Sequence, residues 1–131
     1  MGKLTFFFDR NVGTRLPESL KRLRPPHDVT WLQEARIPQE TPDDVWLETV
    51  GKKGWLVVSH DRKFHSISAE AIAVKQHSVG CFYLPGASSD SWEKCRLFMR
   101  SFNRMVALAQ ATPKPFVFRI GRNGHFNQVK L

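Results

Sequence analysis

The sequence predicts an α/β protein in which helices cover both faces of a mostly parallel central sheet. Short and almost continuously apolar runs, such as residues 4–8 and 55–59, are typical of strands buried on both faces. Segments with helical spacing of apolar residues alternate with these runs, as they do in three-layer α/β folds. The chain has 131 residues. This length suits one domain with a sizeable core, and we expect residues 1–131 to form a single domain.

The predicted elements alternate along the chain. We predict strands over residues 4–8, 28–32, 55–59, 79–84 and 116–120, and helices over residues 16–23, 42–54, 68–76 and 91–109. Thr41 is the predicted N-cap of the second helix, with Pro42 at its first position. Asp90 is the predicted N-cap of the longest helix, where Glu93 completes a capping box. An Asn123–Gly124 turn leads into a short terminal strand, so we expect about five central strands with a C-terminal hairpin extension.

Two helices have a predicted buried face. In the helix over residues 68–76 we expect Ala69, Ile72 and Ala73 to point inward. In the longest helix the apolar residues at helical spacing form one stripe, which consists of Trp92, Cys95, Met99, Phe102, Val106 and Ala109. We interpret this stripe as part of the core.

The charge of the chain predicts an anionic partner. Twenty Lys and Arg against twelve Asp and Glu give a net charge of +8 and a pI of about 10.0. Nucleic acid is the first candidate, and a solvated basic surface is the alternative. No run approaches the ~18 apolar residues of a membrane span, and the N-terminus does not resemble a signal peptide. Cys81 and Cys95 are too few for a disulfide framework. We therefore expect a cytoplasmic protein that does not act at a membrane.

Acidic residues follow two of the predicted strands. Asp9 follows the first strand, Asp61 follows the third, and Asp43 lies in the first turn of the helix between them. Sites in open α/β sheets form at the carboxyl ends of strands, near the point where the strand order reverses. Three carboxylates that converge there repel one another, and a hard divalent cation such as Mg²⁺ removes that cost.

Each of these acids also has a local interpretation. Asp9 could form an Asx turn, and Asp61 could cap a turn. Asp43 and Asp44 could simply complement the helix dipole. Because Asp9 and Asp61 both follow apolar strands at the carboxyl edge of the sheet, where sites form in such folds, we favour a shared site.

Basic residues flank the first and third of these acids. Arg10, Arg62 and Lys63 could hold the phosphates of a nucleic acid, or they could merely neutralise the neighbouring carboxylates. Asn11 could bind a metal-bound water, an acid or the substrate. A two-metal hydrolase requires no histidine, so we assign His60 and His65 structural or surface roles.

Several segments together resemble the PIN-like nucleases, and more narrowly the branch that contains the toxins of bacterial toxin–antitoxin pairs (VapC type). The segments are residues 7–11 (FFDRN), 41–46 (TPDDVW) and 54–63 (GWLVVSHDRK). The similarity continues into residues 68–71 and 114–117, so it covers nearly the whole chain. The combination is more specific than any one segment.

The resemblance implies a PIN-like α/β/α fold and a ribonuclease that depends on Mg²⁺ or Mn²⁺. Asp9, Asp43 and Asp61 match the first three acids of the family, which implies that they bind the metal, and Asp44 is the substitute for Asp43. Glu70 is the nearest match to a fourth acid that PIN domains often contain. A toxin of this type acts on RNA and requires a separate antitoxin protein. PIN-like relatives commonly form homodimers, which the resemblance also implies here.

Two other interpretations remain open from the sequence. A signalling receiver domain is also doubly wound, has acids after its first and third strands, and has a Lys-Pro dipeptide like Lys114–Pro115. Against a receiver, Asp9 is followed by Arg10 instead of a second acid, and Lys114 precedes a strand. A nucleic-acid-binding module without catalysis requires only basic charge and aromatic residues. The complete set of acids argues against that interpretation.

Overall fold

The computed structural model describes residues 2–60 and 69–131. Within these residues the strands are β1 (Thr5–Phe8), β2 (Asp28–Trp31), β3 (Leu56–His60), β4 (Gly80–Leu84), β5 (Phe116–Ile120) and β6 (Phe126–Gln128). They form one sheet in the order β2-β1-β3-β4-β5-β6. The pairs among β1 to β5 are parallel, and β6 runs antiparallel to β5. The predicted parallel sheet with a C-terminal hairpin is therefore confirmed.

Helices cover both faces of this sheet. The described helices are α1 (Arg15–Arg22), α2 (Asp43–Lys53), α3 (Ala69–Gln76) and α4 (Ser91–Ala111). Side chains of α1 and α4 pack in the core on one face, and those of α2 and α3 pack in the core on the other. In the part of the chain that the structure describes, no helix is both long enough and apolar enough to cross a membrane.

The central strand β1 shows why a continuously apolar run forms this sheet. Phe6 and Phe8 point into the core beneath α1 and α4, whereas Phe7 points into the opposite core and packs against Trp46. Side chains alternate between the faces of a strand, so a strand covered on both faces has to be apolar at every position. The strand β1 lies directly beside β3.

The helix α2 begins one residue later than predicted. Pro42, not Thr41, occupies the N-cap position, and the Pro42 carbonyl accepts hydrogen bonds from the backbone amides of Val45 and Trp46 at 3.0 and 3.2 Å. The prediction of a Thr41 cap was wrong because the Thr41 carbonyl is engaged elsewhere. It accepts a hydrogen bond from the side chain of Arg10, 31 residues away.

Two glycines position the end of α2. Gly54 is the C-cap in the left-handed region (φ 72°), where glycine carries no steric penalty. Gly51 lies inside the helix, where a Cβ would come within 2.4 Å of the His77 carbonyl oxygen. The absence of a side chain at Gly51 therefore lets α2 approach the end of α3 closely.

The predicted buried faces of α3 and α4 are confirmed in part. Ala73 is buried as predicted, and four residues of the predicted α4 stripe are partly buried against the core: Cys95, Phe102, Val106 and Ala109. The buried residues are Ala71, Ala73 and Val74 in α3, and Leu97, Phe98, Ser101 and Met105 in α4. In α4 the predicted core residues Trp92 and Met99 are 83% and 55% exposed, and in α3 Ile72 is exposed. In both helices the apolar residues extend around too much of the circumference for their spacing to select one face. The position of the sheet selects it instead.

The start of α4 follows the prediction in part. The Asp90 carboxylate accepts a hydrogen bond from the backbone amide of Glu93 at 2.9 Å, which confirms the N-cap. The second half of the predicted capping box requires the Glu93 carboxylate to bind back to the cap. Both of its oxygens instead accept hydrogen bonds from Arg96 at 2.7 Å.

Candidate active site

The candidate site begins where β1 ends. The backbone amide of Asp9 donates to the Val58 carbonyl at 3.1 Å, which continues the contact between β1 and β3 by one residue. The Asp9 carboxylate is only 4% exposed and accepts a hydrogen bond from the backbone amide of Asn11 at 2.9 Å. This bond caps a short 3₁₀ turn over Arg10–Val12. Asp9 thus forms the local turn, and its carboxylate stays at the carboxyl edge of the sheet.

The side chain of Asn11 joins the ends of β1 and β3. Its Oδ1 accepts hydrogen bonds from Ser59 Oγ at 3.0 Å and from the backbone amide of His60 at 3.4 Å. Ser59 and His60 are both buried, so these donors have little access to water. Asn11 is therefore a structural link between two neighbouring strands at the edge where the acids were predicted. Its predicted contact with a water, an acid or a substrate stays a prediction.

The start of α2 is held at the same edge by Arg10. One Arg10 guanidinium nitrogen (Nη2) donates to the Thr41 carbonyl and lies 3.5 Å from Asp43 Oδ1. Asp43 Oδ1 also accepts a hydrogen bond from the indole nitrogen of Trp46 at 2.9 Å. Asp43 is only partly exposed, whereas its neighbour Asp44 is exposed. Of the two acids, Asp43 is the one that this ion pair ties to the end of β1.

The fourth predicted acid is held by β4. Glu70, in the first turn of α3, accepts a hydrogen bond from the hydroxyl of Tyr83. Tyr83 is fully buried and lies one residue before the end of its strand. Sequence reasoning did not single out Tyr83, although it is the only tyrosine of the chain and a buried hydroxyl requires a partner.

Three of the predicted site residues lie outside the described residues. These are Asp61, Arg62 and Lys63. The described part of β3 ends at His60, which directly precedes Asp61 in the sequence. The structure therefore leaves the predicted roles of these three residues as predictions.

The described acids do not by themselves form a cation site. Within residues 2–60 and 69–131, no group of three or more His, Cys, Asp or Glu side chains could hold a metal ion. The chemistry of the donors suits Mg²⁺ or Mn²⁺, because Asp9, Asp43 and Glu70 are hard oxygen ligands. Asp61, the remaining predicted ligand, lies outside the described residues, so the predicted metal site stays a prediction.

His60 is buried next to this edge. It is 2% exposed, and neither ring nitrogen has a hydrogen-bond partner among the described residues. Burial lowers the pKa of His60, the charge of Lys94 lowers it further, and the nearby Leu84 carbonyl opposes both effects. The imidazole is therefore neutral at neutral pH. The structural role predicted for His60 agrees with this burial. His65, for which the same prediction was made, lies outside the described residues.

A cleft of about 280 Å³ opens beside Asp9. Its walls come from the residues after β1 and β2, and include Asp9, Arg10, Trp31, Gln33 and Gln39. A larger cavity of about 380 Å³ is lined by Pro115, Phe116 and residues 128–131, away from the predicted acids. The smaller cleft is the one that combines a buried carboxylate with a cation and amides.

The position of Lys114 argues against a receiver domain. Lys114 Nζ donates to the Gly54 carbonyl at 3.1 Å. Gly54 precedes β3, so Lys114 lies at the amino edge of the sheet, whereas Asp9 lies at the carboxyl edge. A lysine that acts together with the acids has to lie at their edge. The receiver interpretation therefore fails on geometry.

The structure is an α/β domain with acidic residues at the carboxyl edge of its parallel sheet. The sequence model of the family described as "PIN like domain" matches residues 4–86. This match covers more than half of the chain, which therefore belongs to the PIN-like domain family. PIN domains are generally nucleases and typically use divalent metal ions. Neither the curated proteins nor the solved structures contain a significant match to the chain.

Proposed function

We propose that this protein is a metal-dependent endoribonuclease, and more narrowly the toxin of a toxin–antitoxin pair. The observation that carries the proposal is the junction between β1 and β3. There Asp9 is hydrogen-bonded through its backbone to β3, and the side chain of Asn11 binds Ser59 and the backbone of His60. The sequence of β3 continues directly into Asp61. Membership in the PIN-like family supports a nuclease-type activity at this edge.

The proposed chemistry divides the acids by role. Mg²⁺ or Mn²⁺, when bound, would activate a water and stabilise the in-line displacement at a phosphodiester. In this proposal Asp9 and Asp61 are direct ligands, and Asp43 completes the site or orients the attacking water. Glu70, held by Tyr83, is the fourth acid.

The proposed substrate contacts are the basic residues beside these acids. Arg10 carries its positive charge between the end of β1 and the start of α2. Together with Arg62 and Lys63 it would bind the scissile phosphate and its neighbours. The net charge of +8 supports a polyanionic substrate.

The decisive experiment is cleavage of a mixed-sequence single-stranded RNA in the presence of Mg²⁺ or Mn²⁺. We expect Asp9→Asn and Asp61→Asn each to lose nearly all cleavage while remaining folded by circular dichroism. Asp28→Asn is the matched control, because Asp28 is an exposed acid at the amino end of β2. If Asp9→Asn and Asp61→Asn cleave as well as the parent protein, the proposal is wrong, and a non-catalytic nucleic-acid-binding module is the better account.

The remaining acids should form a graded series in the same assay. Asp43→Asn should be severe because Asp43 lies against Arg10, whereas Asp44→Asn should be milder because Asp44 is exposed. Glu70→Gln should fall between them. An equal loss in Asp43→Asn and Asp44→Asn would show that the ion pair with Arg10 does not mark the functional acid.

The metal requirement has a test that needs no substrate. An ion that binds only the native state raises the midpoint of thermal unfolding by mass action. At a free ion concentration 100 times the dissociation constant, binding adds about 2.7 kcal/mol to the free energy of unfolding. We expect millimolar Mn²⁺ to raise the midpoint of the parent protein, and Asp61→Asn to abolish most of the rise. No shift in the parent would contradict the proposed metal site.

The toxin role requires a separate antitoxin protein. The exposed apolar residues Leu23, Trp92 and Met99 lie along the groove between α1 and α4, where a protein partner or a second copy of the chain could pack. We expect expression of the protein to arrest growth, and co-expression of a neighbouring gene that encodes the proposed antitoxin to restore it. Arrest that requires Asp9 but is not relieved by any neighbouring gene would leave a ribonuclease without the toxin–antitoxin role.

A further inference from the structure

The positive charge of the chain is concentrated after the segment that matches the family. Residues 87–131 contain eight Lys and Arg but only two acids, Asp90 and Glu93, so they carry +6 of the net charge of +8. The family match ends at residue 86. Residues 2–86 are almost balanced, with twelve basic and ten acidic side chains. Most of the net positive charge therefore comes from residues 87–131, which include α4 and the β5–β6 hairpin.

Three arginines of this region lie near enough to Glu93 for their charges to act on its carboxylate. Arg96 binds both oxygens of Glu93 at 2.7 Å. The hydrogen bond from Arg96 is the main cause of the lowered pKa of Glu93, and the charges of Arg96, Arg122 and Arg100 lower that pKa further. Asp90 is the other acid nearby, and its carboxylate caps α4. Positive charge thus exceeds negative charge within a small volume.

Uncharged oxygens hold two of these arginines, Arg100 and Arg122, in place. The third, Arg96, is held by the Glu93 carboxylate. Arg100 Nη1 donates to the Arg122 carbonyl at 2.8 Å, and Arg100 Nη2 lies 3.3 Å from the Gly121 carbonyl oxygen. Arg122 Nη2 lies 3.4 Å from Ser89 Oγ. Carbonyl and hydroxyl oxygens carry no net charge, so they orient the guanidinium groups without neutralising them. All three arginines are exposed. An exposed group of oriented guanidinium groups is suited to bidentate recognition of phosphate.

The arginine cluster (Arg96, Arg100 and Arg122) lies at the same edge of the sheet as Asp9. The helix α4 begins after the carboxyl end of β4, and the turn that contains Arg122 follows the carboxyl end of β5. Only β4 lies between β3 and β5, so two inter-strand spacings separate β5 from β3. At ~4.8 Å per spacing, the turn after β5 lies on the order of 10 Å from the end of β3 within the sheet. A nucleic-acid strand could therefore contact both places at once.

We propose that the arginine cluster is a phosphate-binding site that holds the RNA strand away from the scissile bond. The inference rests on the proposed function, which makes RNA the substrate. The candidate site itself is lined by carboxylates, which repel a polyanion. A separate cationic anchor along the same edge offsets that repulsion. The anchor is supplied by the part of the chain outside the family match.

The test measures RNA binding in the Asp9→Asn background, so that the RNA is not cleaved. Fluorescence anisotropy of a labelled mixed-sequence single-stranded RNA is recorded over a range of salt concentrations. Each phosphate contact adds about 0.7 to the slope of log K against log salt for a single strand. We expect the Arg100→Ala/Arg122→Ala variant to bind about tenfold more weakly near 0.1 M salt, with a slope smaller by about 1.4.

The control removes the same charge from the opposite edge. Arg22 and Lys75 are exposed and lie in the last turns of α1 and α3. The Arg22→Ala/Lys75→Ala variant should bind RNA with nearly the salt slope of the parent protein.

The second test variant is Arg122→Ala alone, because Arg100 also binds the backbone of the β5–β6 hairpin. In the described hydrogen bonds the Arg122 side chain contacts only the Ser89 hydroxyl, so we expect the Arg122→Ala variant to remain folded. Its salt slope should decrease by about half as much as that of the double variant.

Cleavage kinetics separate the two proposals. In the protein that retains Asp9, the Arg122→Ala substitution should raise KM several-fold and leave kcat nearly unchanged, because the arginine cluster is remote from the reacting phosphate. If the parent cleaves RNA and these variants match it in affinity, slope and KM, the inference is wrong and the proposed function stands. If the parent neither binds nor cleaves RNA, the proposed function itself fails. Poly-glutamate serves as a probe for an acidic protein partner. If the Arg100→Ala/Arg122→Ala variant loses poly-glutamate binding but binds RNA as the parent does, the cluster binds an acidic protein and the inference is wrong.

Discussion

The link between Asn11 and β3 can be measured as a double-mutant cycle. Asn11→Ala removes the acceptor of two hydrogen bonds, from Ser59 Oγ and from the amide of His60. A buried donor without a partner costs about 1–3 kcal/mol. The Ser59 hydroxyl can rotate towards another acceptor, but the amide of His60 cannot. We therefore expect Asn11→Ala to lower the free energy of unfolding by about 2 kcal/mol.

This loss should be visible in thermal unfolding. For a chain of 131 residues, 1 kcal/mol corresponds to a shift of about 3–4 °C, so the midpoint should fall by roughly 7 °C. Ser59→Ala should cost about 1 kcal/mol, and Asn11→Ala/Ser59→Ala should cost about 1 kcal/mol less than the sum of the single variants. Asn103→Ala, an exposed position on α4, is the control and should stay within about 0.5 kcal/mol of the parent.

The measurement is urea unfolding, monitored by circular dichroism, of the parent protein, the two single variants and the double variant. A coupling free energy below about 0.3 kcal/mol, which is within the scatter of independent sites, would refute the argument. It would show that the side chain of Asn11 does not join the two strands in solution. No RNA or metal takes part in this test, so its outcome is independent of the proposed function.

Three further predictions concern the framework around the site. Gly51→Ala should lower the free energy of unfolding by about 1–2 kcal/mol in urea titrations, because the clash with the His77 carbonyl oxygen outweighs the gain in helix propensity; a stabilised variant would contradict the close approach of α2 and α3. Asp90→Ala should cost about 1 kcal/mol through loss of the α4 N-cap and leave RNA cleavage intact, and a selective loss of cleavage would show that the functional edge extends to this cap. The pKa of Glu93 lies below its ordinary value of 4.5 in the folded state, so its contribution to stability is present above about pH 4.5 and is lost as the pH falls through the lower folded value. Arg96→Ala should bring the pKa of Glu93, measured by carbon-13 NMR, back towards 4.5, and an unchanged value would exclude the ion pair.

The strands and the place of Asp9 could be predicted from the sequence. A run such as residues 4–8 is apolar at every position, and a strand with a core on both faces is the structure that buries all of them. The end of such a run is also the end of the strand. Asp9 therefore had to lie at the carboxyl edge of the sheet, and the parallel alternation of strands and helices brought the ends of β1 and β3 together.

The partners of the site residues could not be predicted in this way. The ion pair between Arg10 and Asp43 spans 33 positions, and the hydrogen bond from Tyr83 to Glu70 spans 13. No local pattern encodes which side chains meet after strands pair. Asp61 was predicted from the sequence alone, and its role stays a prediction because it lies outside the described residues.

By itself, the sequence determined which segments are strands and helices, because those signals are local: continuous apolar runs, helical spacing, and caps such as Asp90. Only the tertiary structure decided which side of an apolar helix is buried. In α4 it exposes Trp92 and Met99 and buries Leu97 and Phe98. The physical reason is that a helix with apolar residues around much of its circumference has no unique inner face. Contact with the sheet removes one side from water, and that contact depends on residues far away in the chain.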